Sequence, residues 1–434
     1  MIPARRLFHL LWLWLAIGVA AAFWPALVMV WIGGGVLILL AAGIDLLASL
    51  RQAEITVVRQ VSATLALGVW SEVRLRIRQG AKTSATVEIF DQFPAQVEVR
   101  GMPAQTRIPA SGWVEINYEV RPTERGEQCF SATRLLVLSP LRLWRRSHMV
   151  GARECVKVYP NFAAMTSYAL LATDNRLSMM GIRLRQRRGE GLEFHQLREY
   201  RTGDMLRQID WKATSRLKKF ISREYQDERD QQVVFLIDCG RRMHAKDGEL
   251  SHFDHALNAV LLLSYVALRQ GDTVGLMAFG GRPCYLPPRK GAGVINSLLD
   301  TVYDLQAGTS SPDFLKAATE LMSRLNKRSL VVLVTNLRDE DNDELLPALH
   351  LMRQRHLVLL ASLQERIIND VLSKPIQDFS AALRNSATHI YLEERRKAHE
   401  AIKAYGVLGV DVEPEKLPVA LVNRYLDIKR SGRL

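Results

Sequence analysis

Three histidines lie close together in this sequence, and closely spaced histidines can ligate zinc. His252 and His255 are three positions apart and would share one side of a helix, and His244 precedes them closely. A protein zinc site needs three or four ligands, and no third ligand is placed beside this pair. Surface or helix-capping roles explain the histidines more simply, so the pattern is weak evidence for zinc.

Glycine-containing turns and potential nucleophiles give no stronger indication of catalysis. Residues 280–283 and 291–293 lack the closing Lys-Ser or Lys-Thr of a phosphate-binding loop. No serine or cysteine stands in a recognisable nucleophile context. The sequence therefore predicts no enzyme, no catalytic residue and no cofactor. An uncharacterised hydrolase whose catalytic groups converge from distant positions stays open as an alternative.

The elements that would position a site are clearest in residues 232–434. Continuous apolar runs predict buried strands at 233–237, 273–279, 330–335 and 357–363, and helical spacing predicts helices at 253–269, 293–305, 312–325 and 341–355. Apolar strands that alternate with helices indicate an α/β domain whose parallel sheet is covered on both faces. Ligands of such folds bind at the carboxyl ends of strands, where Asp238 follows the first run.

Residues 53–159 have the patterning of strands. Val73, Leu75 and Ile77 alternate with three arginines, which is the period of a strand with one buried face. Similar short runs at 85–90, 96–99, 114–120 and 135–138 are separated by glycine and proline. This spacing predicts an immunoglobulin-like β-sandwich that serves as a spacer or docking module.

Residues 1–52 predict a transmembrane helical hairpin. Uncharged runs extend over residues 7–23 and 26–44, with Pro25 between them. Each would reach roughly 25 to 29 Å as a helix, close to the thickness of a bilayer core. Arg5, Arg6 and Arg51 flank the outer ends, so the positive-inside bias predicts two cytoplasmic termini and cytoplasmic soluble domains. A single span and a cleaved signal peptide are the alternatives.

The amino-acid composition further narrows the class of protein to which this chain can belong. The 434 residues have room for two or three domains, and 48% hydrophobic with 24% charged residues excludes wholesale disorder. The net charge of +13 suits an anionic leaflet or a nucleic acid. Four cysteines at positions 129, 155, 239 and 284 are too few and too scattered for a disulfide scaffold or a zinc module, which favours a reducing compartment.

The most distinctive stretch lies in residues 160–231, which we take as a signature and interdomain segment. Its characteristic residues are Glu193, Phe194, Arg198, Tyr200, Gly203, Asp204, Arg207, Asp210, Trp211 and Lys212. Arginine–carboxylate pairs of this kind could fasten the segment to a neighbouring domain as an interdomain clamp. A lipid or protein contact surface is the second interpretation. Nucleic acid is not expected as a partner, because interleaved carboxylates dilute the positive field.

This pattern resembles the signature of the bacterial domain-of-unknown-function-58 family. The resemblance extends over nearly the whole chain, including residues 125–126, 139–141 and 425–429. Ser139 stands where the family usually has Asp, and Arg142 where it often has Gly. The resemblance implies a bacterial inner-membrane protein with a von Willebrand factor A-like, Rossmann-type C-terminal domain.

In that domain type a divalent cation is held by an Asp-x-Ser-x-Ser loop, a threonine and a second Asp. Here Gly240 and Arg242 replace the two serines, Asn336 stands where the later Asp belongs, and Thr309 is the candidate threonine. Because Mg²⁺ prefers hard oxygen ligands, we expect the cation to be lost and Arg242 to pair with Asp238. A strand-end aspartate that caps the next turn is the simpler reading of Asp238.

The expected function is that of a non-enzymatic, membrane-anchored adaptor or scaffold. The family resemblance implies a MoxR-type AAA+ ATPase as partner, in the assembly or remodelling of protein complexes. The alternative from a different class is a metal-dependent ligand-binding or sensing module at the cytoplasmic membrane face, with Mg²⁺ as its cation. That alternative needs the cation site that the sequence predicts to be degenerate.

Overall fold

The computed structural model of the protein describes residues 1–50, 54–161, 193–201, 206–226, 231–338 and 342–433. The chain divides into two compact units, Met1–Tyr159 and Pro160–Leu434.

The first unit consists of two long apolar helices and a series of β-strands. Its elements are β1 (Ile2–Pro3), α1 (Arg5–Phe23), α2 (Val28–Leu50), β2 (Ile55–Gln60), β3 (Thr64–Ala66), β4 (Ser71–Gln79), β5 (Ala85–Phe90), β6 (Val97–Arg100), β7 (Ala104–Ile108), β8 (Trp113–Pro122), β9 (Gly126–Phe130), β10 (Thr133–Leu138), β11 (Trp144–Val150) and β12 (Glu154–Tyr159).

Both predicted apolar runs form helices, and α1 and α2 are long and apolar enough to cross a membrane. A single turn of 3-10 helix, Pro25–Leu27, joins them. The indole rings of Trp14 and Trp31 stack with their centroids 5.2 Å apart. A Cβ atom added to Gly18 would lie 2.7 Å from the indole nitrogen of Trp31, so this glycine lets the two helices approach.

The β-strands form a five-stranded sheet (β1-β11-β10-β5-β7), a four-stranded sheet (β2-β4-β8-β6) and a three-stranded sheet (β3-β12-β9). A buried polar network joins strands of the two larger sheets. The carboxylate of Asp91 accepts hydrogen bonds from Arg59 of β2, Tyr118 of β8 and Thr133 of β10. The five predicted strand regions all lie in these sheets, because alternating apolar residues turn to the interior.

The hairpin is bonded to the β-rich part of its unit through Asp45, which is 1% exposed. Its carboxylate accepts hydrogen bonds from the Ser139 hydroxyl and from the backbone amides of Leu141 and Leu143. Arg142 in the same turn has a φ of 59°, a conformation that glycine adopts without steric cost. The two departures from the family pattern thus fall in one turn, which α2 supports directly.

The second unit contains the signature segment and a larger α/β domain. Its elements are β13 (Glu193–Glu199), α3 (Trp211–Leu217), β14 (Ile221–Gln226), β15 (Gln232–Asp238), β16 (Lys246–Asp247), β17 (Leu250–Ser251), α4 (His252–Arg269), β18 (Thr273–Phe279), β19 (Cys284–Arg289), α5 (Gly293–Val302), α6 (Phe314–Arg324), β20 (Leu330–Thr335), α7 (Asn342–Arg353), β21 (Leu357–Leu363), α8 (Arg366–Ser373), α9 (Phe379–Ala404), β22 (Leu408–Val412) and α10 (Leu417–Arg430).

A six-stranded sheet with the order β19-β18-β15-β20-β21-β22 is the centre of this domain. All neighbours in it are parallel except the β18–β19 pair. Separate apolar clusters cover its two faces, one built with α4 and α10, the other with α6 and α7. The four predicted strands and four predicted helices are present within a few residues of their expected ends. The edge strands β19 and β22 are additions that the apolar runs do not indicate.

Candidate functional site

Asp238 lies at the carboxyl end of β15, where a ligand of an α/β sheet is expected. The side chain is 1% exposed, and both carboxylate oxygens accept hydrogen bonds. Oδ1 accepts from the amide of Gly240 at 2.7 Å, and Oδ2 accepts from the hydroxyl of Thr335 at 2.7 Å. These bonds fix the turn after β15 and join β15 to β20.

The loops around Asp238 leave little room for the ligands of a cation. A Cβ atom at Gly240 would lie 2.8 Å from Cδ of Pro312 and 3.0 Å from Oδ1 of Asp238. A serine side chain at position 240 would therefore collide with the proline ring. Thr309 lies exposed on the loop before α6, and Thr335 is the threonine that contacts Asp238. Neither described bond to the carboxylate comes from Arg242, whose pairing with Asp238 stays a prediction.

Asn336 belongs to a buried polar network beside this position. Its Nδ2 donates to Oε1 of Glu365 at 2.9 Å and lies 3.3 Å from Nδ1 of His252. Nε2 of His252 lies 2.8 Å from Oδ2 of Asp247. Because a carboxylate accepts and the amide nitrogen donates, the network fits a neutral imidazole that carries its proton on Nε2. Both ring nitrogens of His252 are thus engaged by protein groups.

His255, the other member of the His-x-x-His pair, is buried on α4. Burial lowers the pKa of its imidazole, and the neighbouring His252 lowers it further. Tyr391 donates to Oε2 of Glu365, and burial next to this carboxylate raises the pKa of its phenol. The cluster is therefore a hydrogen-bonded support for the carboxyl edge of the sheet.

A cavity of about 380 Å³ opens near the ends of β21 and β22. Arg395 in its wall is 3% exposed and donates to Ser362, to Asp411 and to the backbone carbonyls of Leu337 and Leu363. The planar guanidinium group binds several acceptors at once, and it connects α9 to the ends of β20, β21 and β22.

The carboxylate of Asp411 in this cavity is held in its charged form. Nε2 of His399 lies 3.2 Å from its Oδ2 but is poorly aligned for a hydrogen bond, whereas Arg395 donates at 2.6 Å. Burial alone would raise the pKa of Asp411, and the interactions with His399 and Arg395 outweigh it and hold the pKa below its usual range. This cavity has no signal in the sequence, because no motif connects residues that meet only through the order of the strands.

Residues 193–201 and 206–226 are the part of the signature segment that the structure describes, and they contain β13, which pairs antiparallel with β14, and the short helix α3. We call these elements the signature hairpin. Asp210 is the N-cap of α3, and its Oδ1 accepts from the amide of Ala213 at 2.9 Å. Its Oδ2 accepts from Nε of Arg223 at 2.9 Å. These bonds lower the pKa of Asp210, the backbone bond contributing most. Ile209 and Ala213 on either side are buried.

Other signature residues stabilise the same hairpin or face outward. Tyr200 packs edge-on against Phe220, and Glu199 pairs with Lys219. Trp211 is 65% exposed although it begins α3, and Lys212 is exposed next to it.

Four of the remaining signature residues lie in described elements, and two lie outside the described residues. Glu193, Phe194 and Arg198 lie on β13, and Arg207 lies in the 3-10 turn Leu206–Gln208. Gly203 and Asp204 lie outside the described residues. The described ion pairs Arg223–Asp210 and Lys219–Glu199 close within the segment, so the interdomain clamp stays a prediction.

The C-terminal part of the family pattern has a structural role. The Tyr425 hydroxyl donates to the buried carboxylate of Asp272, and Nζ of Lys429 lies 2.8 Å from both of its oxygens. Tyr425 and Lys429 are four residues apart and so share one face of α10. This contact fixes α10 to the start of β18.

A further exposed surface lies on the first half of α9. Phe379 is 84% exposed, and Leu383 and Ile390 are each exposed by more than half. Their spacing of four and seven residues places them on one stripe of the helix. This stripe was not among the predicted sites, although the spacing of its residues is a usable signal in the sequence.

One protein family matches the sequence. Residues 196–384 match the model described as "Protein of unknown function DUF58". The matched span begins in β13 and ends in the first half of α9, so it includes most of the signature hairpin and most of the α/β domain. None of the curated proteins matches the chain.

Solved structures with similar regions each correspond to a quarter of the chain. They include a PapD-like domain of human CEP192 (10% identity, 84% of that chain, TM-score 0.18) and the CARDB domain of a Pyrococcus furiosus protein (11% identity, 90% of that chain, TM-score 0.19). A FixG-related protein from Vibrio parahaemolyticus is similar at 7% identity over 96% of its chain, with a TM-score of 0.18.

Proposed function

We propose that this chain, which belongs to the DUF58 family, is a membrane-anchored, non-enzymatic adaptor for a partner protein. The partner that the family resemblance implies is an AAA+ ATPase of the MoxR type, working in the assembly or remodelling of protein complexes. The α/β domain of the adaptor is of the von Willebrand factor A-like type, and the signature hairpin carries the contact with the ATPase.

The exposed Trp211 is the observation that carries the proposal. Within the signature, Ile209, Asp210 and Ala213 are explained by the local fold, because they fill the hairpin and cap α3. Trp211 adds little to that fold, since it is 65% exposed. A large exposed aromatic beside the charged Lys212 has the composition of a protein-binding hot spot.

The contacts of the transmembrane hairpin, formed by α1 and α2, support anchoring with both of its ends on one side of the membrane. β1 precedes α1 and pairs with β11, while Asp45 near the end of α2 bonds to the turn before β11. Both outer ends of the hairpin therefore adjoin the same β-rich structure. Arg5 and Arg6 at this end favour the cytoplasmic side of a bacterial inner membrane.

The metal-dependent sensing module is the weaker candidate. Its cation would have to displace the Gly240 amide and the Thr335 hydroxyl from Asp238, and Pro312 occupies the space of a loop serine. Mg²⁺ demands near-octahedral oxygen ligands, which this arrangement does not offer without rearrangement. Calorimetric titration of the full-length protein with Mg²⁺ tests this alternative: micromolar binding that Asp238→Ala abolishes would favour it over the adaptor.

The adaptor proposal is tested by measuring the affinity of the purified ATPase for the full-length protein in nanodiscs. Trp211→Ala should weaken binding about 30-fold or more, the effect of losing a hot-spot tryptophan. Trp113→Ala is the matched control, because Trp113 is 55% exposed but lies in the β-rich unit. Equal affinities of the wild-type and Trp211→Ala proteins would contradict the proposal.

A further inference from the structure

Two cysteines of the β-rich unit face each other across neighbouring strands. Cys129 on β9 and Cys155 on β12 are directly opposite in the antiparallel register, with their Cα atoms 4.0 Å apart, and they form a disulfide. They are 26 residues apart in sequence, which is why cysteine spacing alone does not indicate the pair. Cys155 is exposed and Cys129 is half-buried, so solutes reach this site.

The other two cysteines lie in the α/β domain and are free thiols, Cys239 being buried and Cys284 partly so. Burial raises the pKa of the Cys284 thiol and so makes it a poor nucleophile. Among the four cysteines, the pair at the β9–β12 ladder is therefore the more accessible site for exchange with an external disulfide.

We infer that Cys129 and Cys155 form a reversible redox pair, which is a dithiol in the reducing cytoplasm and a disulfide under oxidative conditions. The inference rests on the proposed cytoplasmic placement, since glutathione keeps accessible cytosolic thiols reduced. The antiparallel register places the two cysteines directly opposite each other, so the second sulfur atom is close by when the first one is oxidised.

The oxidant is a small-molecule disulfide, glutathione disulfide in the simplest case. One cysteine thiolate attacks it, forms a mixed disulfide and releases one glutathione thiolate. The second cysteine then attacks the protein sulfur of the mixed disulfide and releases the second glutathione. Overall two protein thiols and one glutathione disulfide give one protein disulfide and two glutathiones, so atoms and electrons balance.

The bond would act on the strand through which the chain leaves the first unit. β12 ends at Tyr159, and the second unit begins at the next residue. Without the bond, β12 is held by ladder hydrogen bonds to β9 and β3. With it, fraying of this last strand is covalently limited, and amide exchange along β12 should slow.

Glu127 offers a specific readout of the chemistry. Its carboxylate and the two sulfur atoms all lie within 4.8 Å of one another. The negative charge disfavours the thiolate that starts the exchange, so Glu127→Gln should accelerate oxidation about two- to fourfold at neutral pH. The dependence follows because the attacking group in each exchange step is a thiolate.

The first test traps thiols in growing cells with acid and a mass-tagged maleimide, using the full chain with Cys239→Ser and Cys284→Ser. Two tagged thiols in untreated cells, none after treatment with diamide and two again after recovery are expected. A pair that stays oxidised in untreated cells would overturn the inference and also contradict the cytoplasmic placement. A pair that stays reduced after diamide would overturn the inference alone, and ATPase binding through Trp211 would be unaffected.

The second test uses the purified protein in nanodiscs, reduced with dithiothreitol and then exposed to glutathione disulfide. Loss of two thiols, acceleration by Glu127→Gln and slower amide exchange in β12 are expected. In Cys129→Ser the remaining thiol of the pair, Cys155, should stop at the mixed disulfide with glutathione, which serves as the control. Failure of the wild-type pair to close, or no effect of Glu127→Gln, would contradict the inference.

Discussion

Removing the ammonium group of Lys429 should destabilise the α/β domain strongly. Nζ of Lys429 lies 2.8 Å from both oxygens of Asp272, and the two side chains are 7% and 0% exposed. Taking one partner from a buried ion pair costs about 3–5 kcal/mol, because the other charge is left without compensation. The lower end applies here, since the Tyr425 hydroxyl and the Gln231 amide still donate to Asp272.

A loss of about 3 kcal/mol in the free energy of unfolding raises the equilibrium constant for opening of the domain about 100-fold, at roughly 1.4 kcal/mol per factor of ten. Amide hydrogen exchange in β15 and β18 of the full-length protein measures this rise directly. Lys429→Ala and the longer Lys429→Met should both show it. Tyr425→Phe should cost only about 1–3 kcal/mol, the range for one hydrogen bond to a charged group.

Lys416→Ala is the matched control for this experiment. Lys416 pairs with Glu413 but is 69% exposed, so its removal should leave the exchange rates unchanged. Exchange in Lys429→Ala that stays within twofold of the wild-type rate would refute the reasoning. It would mean that Asp272 is stabilised by other groups and that the C-terminal family motif is retained for another reason.

Three further outcomes follow from individual contacts. Asp45→Ala should speed amide hydrogen exchange in the turn 139–144 about tenfold, because the backbone donors of this turn lose a buried carboxylate. Unchanged exchange would contradict the docking of the transmembrane hairpin against this turn. Because the pKa of Asp411 is lowered in the folded state, its contribution to stability is present above about pH 4 and is lost as the pH falls further. In urea titrations, the stability of Asp411→Asn should therefore fall less with decreasing pH than that of the wild type. Gly240→Ser should lower stability by about 1–3 kcal/mol through its collision with Pro312 and should not create Mg²⁺ binding, which calorimetry would detect.

The α/β domain could be anticipated because its central strands are apolar on both faces. The expected bounds of β18, β20 and β21 agree with the structure. β19 was not predicted from the sequence, because it contains two consecutive prolines and pairs antiparallel at an edge, where proline is tolerated. β22 was not predicted because it is short and only partly buried. Edge strands are specified by their neighbours more than by their own composition.

The β-rich unit was only partly predictable. Alternation identified β4 and β5, whose buried faces repeat every second residue. β11 shows no such repeat, because all of its residues are partly or fully exposed. The contribution of β1, two residues before the first helix, depends on pairing with β11 and has no local signal.

The site residues show the same division between local and non-local information. An aspartate before a short helix is the usual N-cap pattern, so the role of Asp210 was accessible from the sequence. The bond from Thr335 to Asp238 depends on β20 lying beside β15, which no spacing reveals. The exposure of Trp211 was likewise inaccessible, since an apolar residue at a helix start is ordinarily buried.

The most direct measurement of the central claim is photo-cross-linking from position 211 in living cells. A photoreactive phenylalanine analogue replaces Trp211 in the full-length protein, and a second variant carries it at position 113 as control. Cross-linked partners are identified by mass spectrometry. The account predicts a MoxR-type AAA+ ATPase linked to position 211 and absent at position 113. An ATPase that never links to position 211, or that links equally at both positions, would contradict it.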